Sequence, residues 1–193
     1  MSIIITIIYP TLKLCKFAVK AIMELPSFIF PLLKRFRLPP RLHWLAANLI
    51  NPHFLLGVAG IITDEQGRLL LFHHTYRRSH PWGMPGGWMS KGESPLETLE
   101  REVHEESGLH VRAERLALIG VTRDRPKFEF VVCGKLVGGT FQASREVDQM
   151  GWFAPDQYPA LAPFHQHILQ QWRDQPNHEV GWYEAPWIIA HPR

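Results

Sequence analysis

Gly86-Gly87-Trp88-Met89-Ser90-Lys91-Gly92-Glu93-Ser94-Pro95-Leu96-Glu97-Thr98-Leu99-Glu100-Arg101-Glu102-Val103-His104-Glu105-Glu106-Ser107-Gly108-Leu109 is the segment from which the rest of the chain can be read. It predicts a helix over residues 95–107 with both ends written locally. Ser94 is the N-cap, Pro95 takes the first helical position, Glu97 completes a capping box, and Gly108 is the stop. Leu96, Leu99 and Val103 recur at helical spacing and give one apolar face. Six of the 18 acidic residues lie between Glu93 and Glu106. Glu102, Glu105 and Glu106 are three and four residues apart, so they share a neighbouring face. Each such like-charge pair costs a helix a few tenths of a kcal/mol, as an order of magnitude. Carboxylates near the C-terminus also oppose the helix dipole. A hard divalent cation, which takes oxygen ligands, removes the repulsion. The alternative is a solvated acidic face. The flanking Gly86-Gly87 turn favours the cation, because it lets backbone approach a ligand closely.

The spacing is Gly87, five residues, Glu93, seven residues, Arg101-Glu102-Val103, one residue, Glu105-Glu106, one residue, Gly108-Leu109. This resembles the Nudix box at every specified position. The flanking strand pattern and Trp152-Phe153-Ala154-Pro155 extend the resemblance to roughly residues 55–160. The resemblance implies an α/β fold, a Nudix-type α/β/α sandwich with a mixed β-sheet. It also implies an enzyme that uses Mg²⁺ or Mn²⁺ to hydrolyse a nucleoside diphosphate linked to a second moiety, by water attack on phosphorus. Carried over by position, Glu102, Glu105 and Glu106 are metal ligands, with the Gly86 carbonyl as a further one. Glu102 could instead assist the attacking water. Arg101 and Glu93 would pair and hold the ligand carboxylates in place. A general base, where the family has an extra one, falls on Glu146, with Asp148 or Glu129 as fallback; an exposed loop acid is the other reading of Glu146. Pro126, 17 residues beyond Leu109, is near the position of a proline in members that cleave ADP-ribose. ADP-ribose or a nucleotide sugar is therefore the favoured substrate. A (deoxy)nucleoside triphosphate is the enzymatic alternative. A non-catalytic nucleotide sensor is the other, although no box acid is missing.

On either side of the box the chain reads as mixed α/β. Residues 57–63 and 68–74 form a hairpin around the turn Asp64-Glu65-Gln66-Gly67. Strands are predicted at 115–122, 127–137 and 150–153, and a second helix over Leu161 to Trp172. Arg77 or Arg78, after the hairpin, could hold a phosphate bidentately, and Trp82 or Tyr76 could stack on a base, with a core aromatic as the alternative. His165 and His167 are read as structural, since a two-residue spacing points them to different helical faces. Trp182 and Trp187 suggest that part of the tail from Asn177 docks. The organisation expected is an N-terminal extension (1–50), a hydrolase domain (51–160) and a C-terminal helix and tail (161–193).

The chain has 193 residues, 46% hydrophobic and 20% charged, which suits one folded domain with appendages and excludes wholesale disorder. Cys15 and Cys133 cannot build a disulfide framework or a thiolate zinc site. A net charge of +3 permits an anionic ligand and does not imply nucleic acid. Residues 1–33 are mostly apolar. Their charges, Lys13, Lys16, Lys20 and Glu24, fall on one narrow helical stripe, and a basic cluster follows at Lys34, Arg35, Arg37 and Arg41. No apolar run reaches the roughly 18 residues a spanning helix needs. The pattern fits an in-plane anchor at the membrane surface; a helix packed on its own core, or on the second subunit of a homodimer, is the alternative. A cytoplasmic protein, peripheral on the inner membrane face, is the resulting expectation.

Overall fold

A computed structural model describes residues 39, 41, 44, 45, 47, 48, 51–122, 126–174 and 180–184. The expectations for residues 1–38 and for Trp187 lie outside this set. The chain divides into two compact units, Met1–His53 and Phe54–Arg193. In the first, residues 41, 44, 45, 47 and 48 are helical, and Asn48 donates to the Trp44 carbonyl at 3.1 Å. No helix among the described residues is long and apolar enough to cross a membrane.

The second unit contains β1 (Leu55–Ile62), β2 (Leu69–His74), β3 (Trp82–Gly83), α1 (Pro95–Ser107), β4 (Leu109–Thr122), β5 (Lys127–Gly139), β6 (Val147–Phe153), α2 (Pro163–Arg173) and β7 (Gly181–Glu184). One sheet is mixed, in the order β1-β5-β4-β7, with β1 parallel to β5, β4 antiparallel to β5 and β7 parallel to β4. The second is antiparallel, in the order β3-β2-β6. Period-two alternation gives the strands two apolar faces. Val58, Ile62, Leu70, Phe72 and Val132 pack with Leu99 and Val103 of α1. Ala59, Ile61, Leu69, Leu71, Val131 and Cys133 pack with Ile168 and Leu169 of α2. Strands buried on both faces between helices make the α/β/α sandwich that the box resemblance implied.

The α1 boundaries follow the local signals. Ser94 accepts from the Glu97 N–H at 3.3 Å, Glu97 accepts from the Ser94 N–H at 2.8 Å, and Gly108 closes the helix at φ 69°. Elsewhere the pairing and the boundaries differ: residues 57–63 and 68–74 do not form the expected hairpin, because β1 pairs with β5 in one sheet and β2 with β3 and β6 in the other, joined only by a bridge between Thr63 and Leu69. β4 begins at Leu109, directly after the helix stop, rather than at 115, and β6 begins at Val147 rather than 150. β3 and β7 are additional strands. β7 docks part of the C-terminal tail along residues 118–121 of β4.

Candidate active site

Residues 85–89 run along β1 almost as another strand. Val58 donates to the Gly87 carbonyl at 2.9 Å, Gly60 to the Pro85 carbonyl at 2.8 Å, and Met89 to the Leu56 carbonyl at 2.9 Å. Gly86 sits at φ +145°, and a Cβ there would overlap the Val58 carbonyl oxygen; a Cβ on Gly87 would overlap the Glu102 carboxyl. Only glycines let this turn lie against both β1 and α1. Among the described residues the Gly86 carbonyl accepts no hydrogen bond.

Arg101 gathers the acids on the near side of that turn. Its Nε and Nη2 bind Glu93 at 2.7 and 3.0 Å. Its Nη1 reaches Glu102 at 2.9 Å and Glu105 at 3.0 Å, and Nη2 also donates to the Trp88 carbonyl at 3.0 Å. Arg101, helped by the Ser90 N–H and the Thr98 hydroxyl, holds Glu93 down at a pKa of about 2. The Arg101–Glu93 pairing expected from sequence is thus present as a two-pronged ion pair.

Glu106 is set apart from this clamp. It is 6% exposed, and its Oε2 has no hydrogen-bond partner. Burial, then the charges of Glu102 and Glu146, push its pKa up to about 8, while the Gly86 N–H pulls it down. Among the described residues no three His, Cys, Asp or Glu side chains converge on one point, because Arg101 draws Glu102 and Glu105 to itself. The donor set nevertheless suits a hard divalent cation. It consists of oxygens only, with an orphaned buried carboxylate oxygen, a free backbone carbonyl at Gly86, and Glu102 close enough to Glu106 to raise its pKa.

Beyond the turn lies a cavity of about 340 Å³, lined by Gly86 and Gly87 and by Arg77, Trp88, Lys127, Glu129, His165 and others. Arg77 is half-buried, its Nη1 3.1 Å from His165 Nε2. Burial, then Arg77, lowers the His165 pKa to about 3, so this imidazole is neutral. Lys127 Nζ lies 2.5 Å from Glu129 Oε2. It is also 5.0 Å from the centre of the Trp88 ring and 5.4 Å from that of Phe164. Burial raises the Glu129 pKa and Lys127 opposes the rise.

Of the residues singled out by sequence, Glu93, Arg101, Glu102 and Glu105 form one ion-pair cluster, and Glu106 lies beside it. Glu146 is exposed but close enough to bear on the Glu106 carboxyl. Asp148 instead accepts from or pairs with His73 Nδ1 at 2.6 Å. Arg77 lines the cavity, whereas Arg78 is exposed and outside its lining. The stacking role considered for Trp82 is corrected. Its ring packs edge-on against Phe153 and His73 and belongs to the core, while Tyr76 and Trp88 line the cavity. Sequence reading missed His165, Trp88 and Lys127 as cavity residues. Lys127 and Glu129 did carry a signal, two charges spaced to share one face of an otherwise apolar strand.

The glycine turn of this two-helix sandwich thus separates a carboxylate helix from a cationic, aromatic cavity. The NUDIX domain profile matches residues 53–172, and the chain belongs to that family. It is 32% identical over 134 residues to the 8-oxo-dGDP phosphatase of Homo sapiens, covering 64% of this chain and 41% of that protein. It is 31% identical over 106 residues to a MutT-like protein of Streptomyces ambofaciens, covering 55% of this chain and 68% of the other. The chain thus spans less than half of the human relative. Among solved structures, an ADP-ribose pyrophosphatase from Streptococcus suis shares the fold at a TM-score of 0.57 and 24% identity, over 68% of this chain and all of that one. A UDP-X diphosphatase does so at 0.56 and 21%, over 92% and 96%.

Proposed function

We propose that this protein hydrolyses the pyrophosphate bond of a nucleoside diphosphate linked to another moiety, with a divalent cation, Mg²⁺ or Mn²⁺, at the acidic end of the site. The observation that carries this is the Gly86–Gly87 turn. It has the Glu102 and Glu106 carboxylates on one side and a cavity holding Arg77 and Lys127 on the other. A diphosphate laid across the turn meets both charge sets. The ADP-ribose pyrophosphatase and UDP-X diphosphatase neighbours, and the human relative's 8-oxo-dGDP activity, support a nucleoside diphosphate derivative.

In this reading Glu102, Glu105, Glu106 and the Gly86 carbonyl hold the cation. The cation supplies charge neutralisation of the pyrophosphate oxygens. Arg101, anchored on Glu93, aligns Glu102 and Glu105. Arg77, held against His165, binds a phosphate oxygen. Glu146 takes the proton of the attacking water. The protein mainly positions groups and balances charge, as phosphoryl transfer requires.

The direct test is a Mg²⁺-dependent phosphate-release screen, with a phosphomonoesterase added, over ADP-ribose, nucleotide sugars, dinucleotides and triphosphates. Turnover of diphosphate derivatives is expected. Exclusive turnover of triphosphates would favour the alternative substrate class, and no turnover of any would favour a sensor. Millimolar Mg²⁺ or Mn²⁺ should also raise the melting temperature, because a cation bound only by the folded carboxylates stabilises them by mass action. A melting temperature indifferent to both metals would contradict the cation site.

For residues 1–41 we infer peripheral binding to an anionic membrane on the cytoplasmic face. The basis is the sequence pattern of an apolar face followed by Lys34, Arg35, Arg37 and Arg41. Each basic residue contributes on the order of 1 kcal/mol near such a surface, screened by salt. Full-length protein should sediment with phosphatidylserine vesicles, more weakly as salt rises, and a deletion of 1–41 should stay in solution. Full-length protein left in the supernatant would reject the anchor. An aggregated deletion variant would favour a packing or subunit-interface role.

A further inference from the structure

The first two residues of β1 break the burial pattern of the rest. Residues 57–62 are buried, whereas Leu55 is 60% and Leu56 37% exposed, and Phe54 just before them is 46% exposed. With Trp88 and Met89 these side chains line a groove of about 350 Å³. The groove adjoins the cavity described above. Gly57 and Trp88 pair as a β-bridge, and Trp88 lines both spaces. Leu55 is two residues from Gly57 and so stands on the same face of β1, opposite Lys127 in the β1–β5 register. Backbone pairing fixes this apolar wall. Leu55 donates to the Pro126 carbonyl at 2.8 Å and Met89 to the Leu56 carbonyl at 2.9 Å, while Phe54 packs edge-on against Phe128 at 5.2 Å. Arg101 ties the wall to the acid clamp, because it donates to the Trp88 carbonyl and binds Glu93, the acid in the groove lining. Contiguous apolar side chains left exposed beside a charged cavity mark a surface that a ligand covers.

We propose that this groove seats the second moiety of the substrate, and that the moiety is apolar, an alkyl or aryl group rather than a sugar. With the diphosphate across the Gly86–Gly87 turn, the group esterified to it passes Trp88, the wall that cavity and groove share, and lies on Leu55, Leu56 and Phe54. A sugar there would lose water from its hydroxyls against side chains that offer no hydrogen bond in return. An alkyl chain removes both its own surface and that of the groove from water. This inference rests on the nucleoside diphosphate reading above and names the group attached to the diphosphate.

The test is equilibrium binding to the full-length protein by titration calorimetry, with EDTA present to prevent turnover. The probes are the methyl, butyl and octyl esters of ADP and of GDP on the terminal phosphate, with ADP-glucose as the polar comparison. The butyl ester should bind at least about tenfold more tightly than the methyl ester, since each fully buried methylene contributes up to about fourfold. L55D should remove most of this ratio. V137D, an equally exposed apolar residue outside the groove lining, should leave it as it is. Near-ultraviolet circular dichroism of each variant establishes that it is folded. Equal binding of the esters, binding of none, or tighter binding of ADP-glucose than of the butyl ester overturns the proposal. So does a butyl-to-methyl ratio that survives L55D. Esters bound equally, together with binding to phosphatidylcholine vesicles that L55D abolishes, would make the groove a membrane contact instead. The hydrolytic reading fails separately: chain-length-dependent binding with no Mg²⁺-dependent hydrolysis of any ester upholds the groove and overturns the hydrolase.

Discussion

E106Q should lower kcat by about 100-fold or more while the protein stays folded. The substitution keeps the shape of the side chain and removes a carboxylate that a cation would take up, one whose ionised form is otherwise disfavoured by burial and by the charges of Glu102 and Glu146 and whose Oε2 has no hydrogen-bond partner. Melting temperature without metal should therefore hold or rise, and the rise induced by Mg²⁺ should shrink. The measurements are steady-state rates at saturating Mg²⁺ and thermal melts with and without it. Unchanged turnover would remove Glu106 from the cation site. A parallel loss of folded protein would mean that its role is structural.

Gly86→Ala should cost about 3 kcal/mol or more of folding stability, read as a drop in the urea midpoint. At φ +145° the added methyl runs into the Val58 carbonyl oxygen, which is backbone in a central part of β1 and cannot step aside. Gly87→Ala is the informative comparison. The obstacle there is the Glu102 side chain, which can rotate, so stability should fall far less while activity falls sharply. Equal stability losses at the two positions would show that the turn is not held against β1 in the way the hydrogen bonds indicate.

Legibility from sequence followed the range of the interactions. The α1 helix could be bounded to the residue because its signals are local: a serine cap, a proline, a returning glutamate and a glycine stop all within 15 residues of one another. The Arg101–Glu93 pair was likewise within reach, since eight residues separate them. β4 was less legible. Its first residues, Leu109 to Glu114, alternate apolar and polar as a strand should, but they follow the Gly108 helix stop with no loop between, and the bulges that interrupt the pairing with β5 between His110 and Val111 and between Ala113 and Arg115 carry no local marker. β7 is four residues whose pairing partner lies some 60 residues earlier. Trp82 looked like a stacking platform because a Pro- and Gly-rich loop suggests exposure, but two residues of β3 pairing turn its ring into the core. Lys127 and Glu129 stood out as two charges on one face of an apolar strand, but the close approach of Glu129 to Gly57 follows from the parallel pairing of β1 with β5, which no local pattern announces.

The glycine turn has a thermodynamic corollary. One thickness of backbone separates the place proposed for a cation from the place proposed for an anionic nucleotide, so opposite charges are brought close together. Occupancy of either side must then change the free energy of filling the other, and by reciprocity the two effects are equal. The cation will tighten nucleotide binding by the same factor by which the nucleotide tightens cation binding. At physiological metal concentrations below saturation, the protein would answer to the product of two concentrations rather than to either alone.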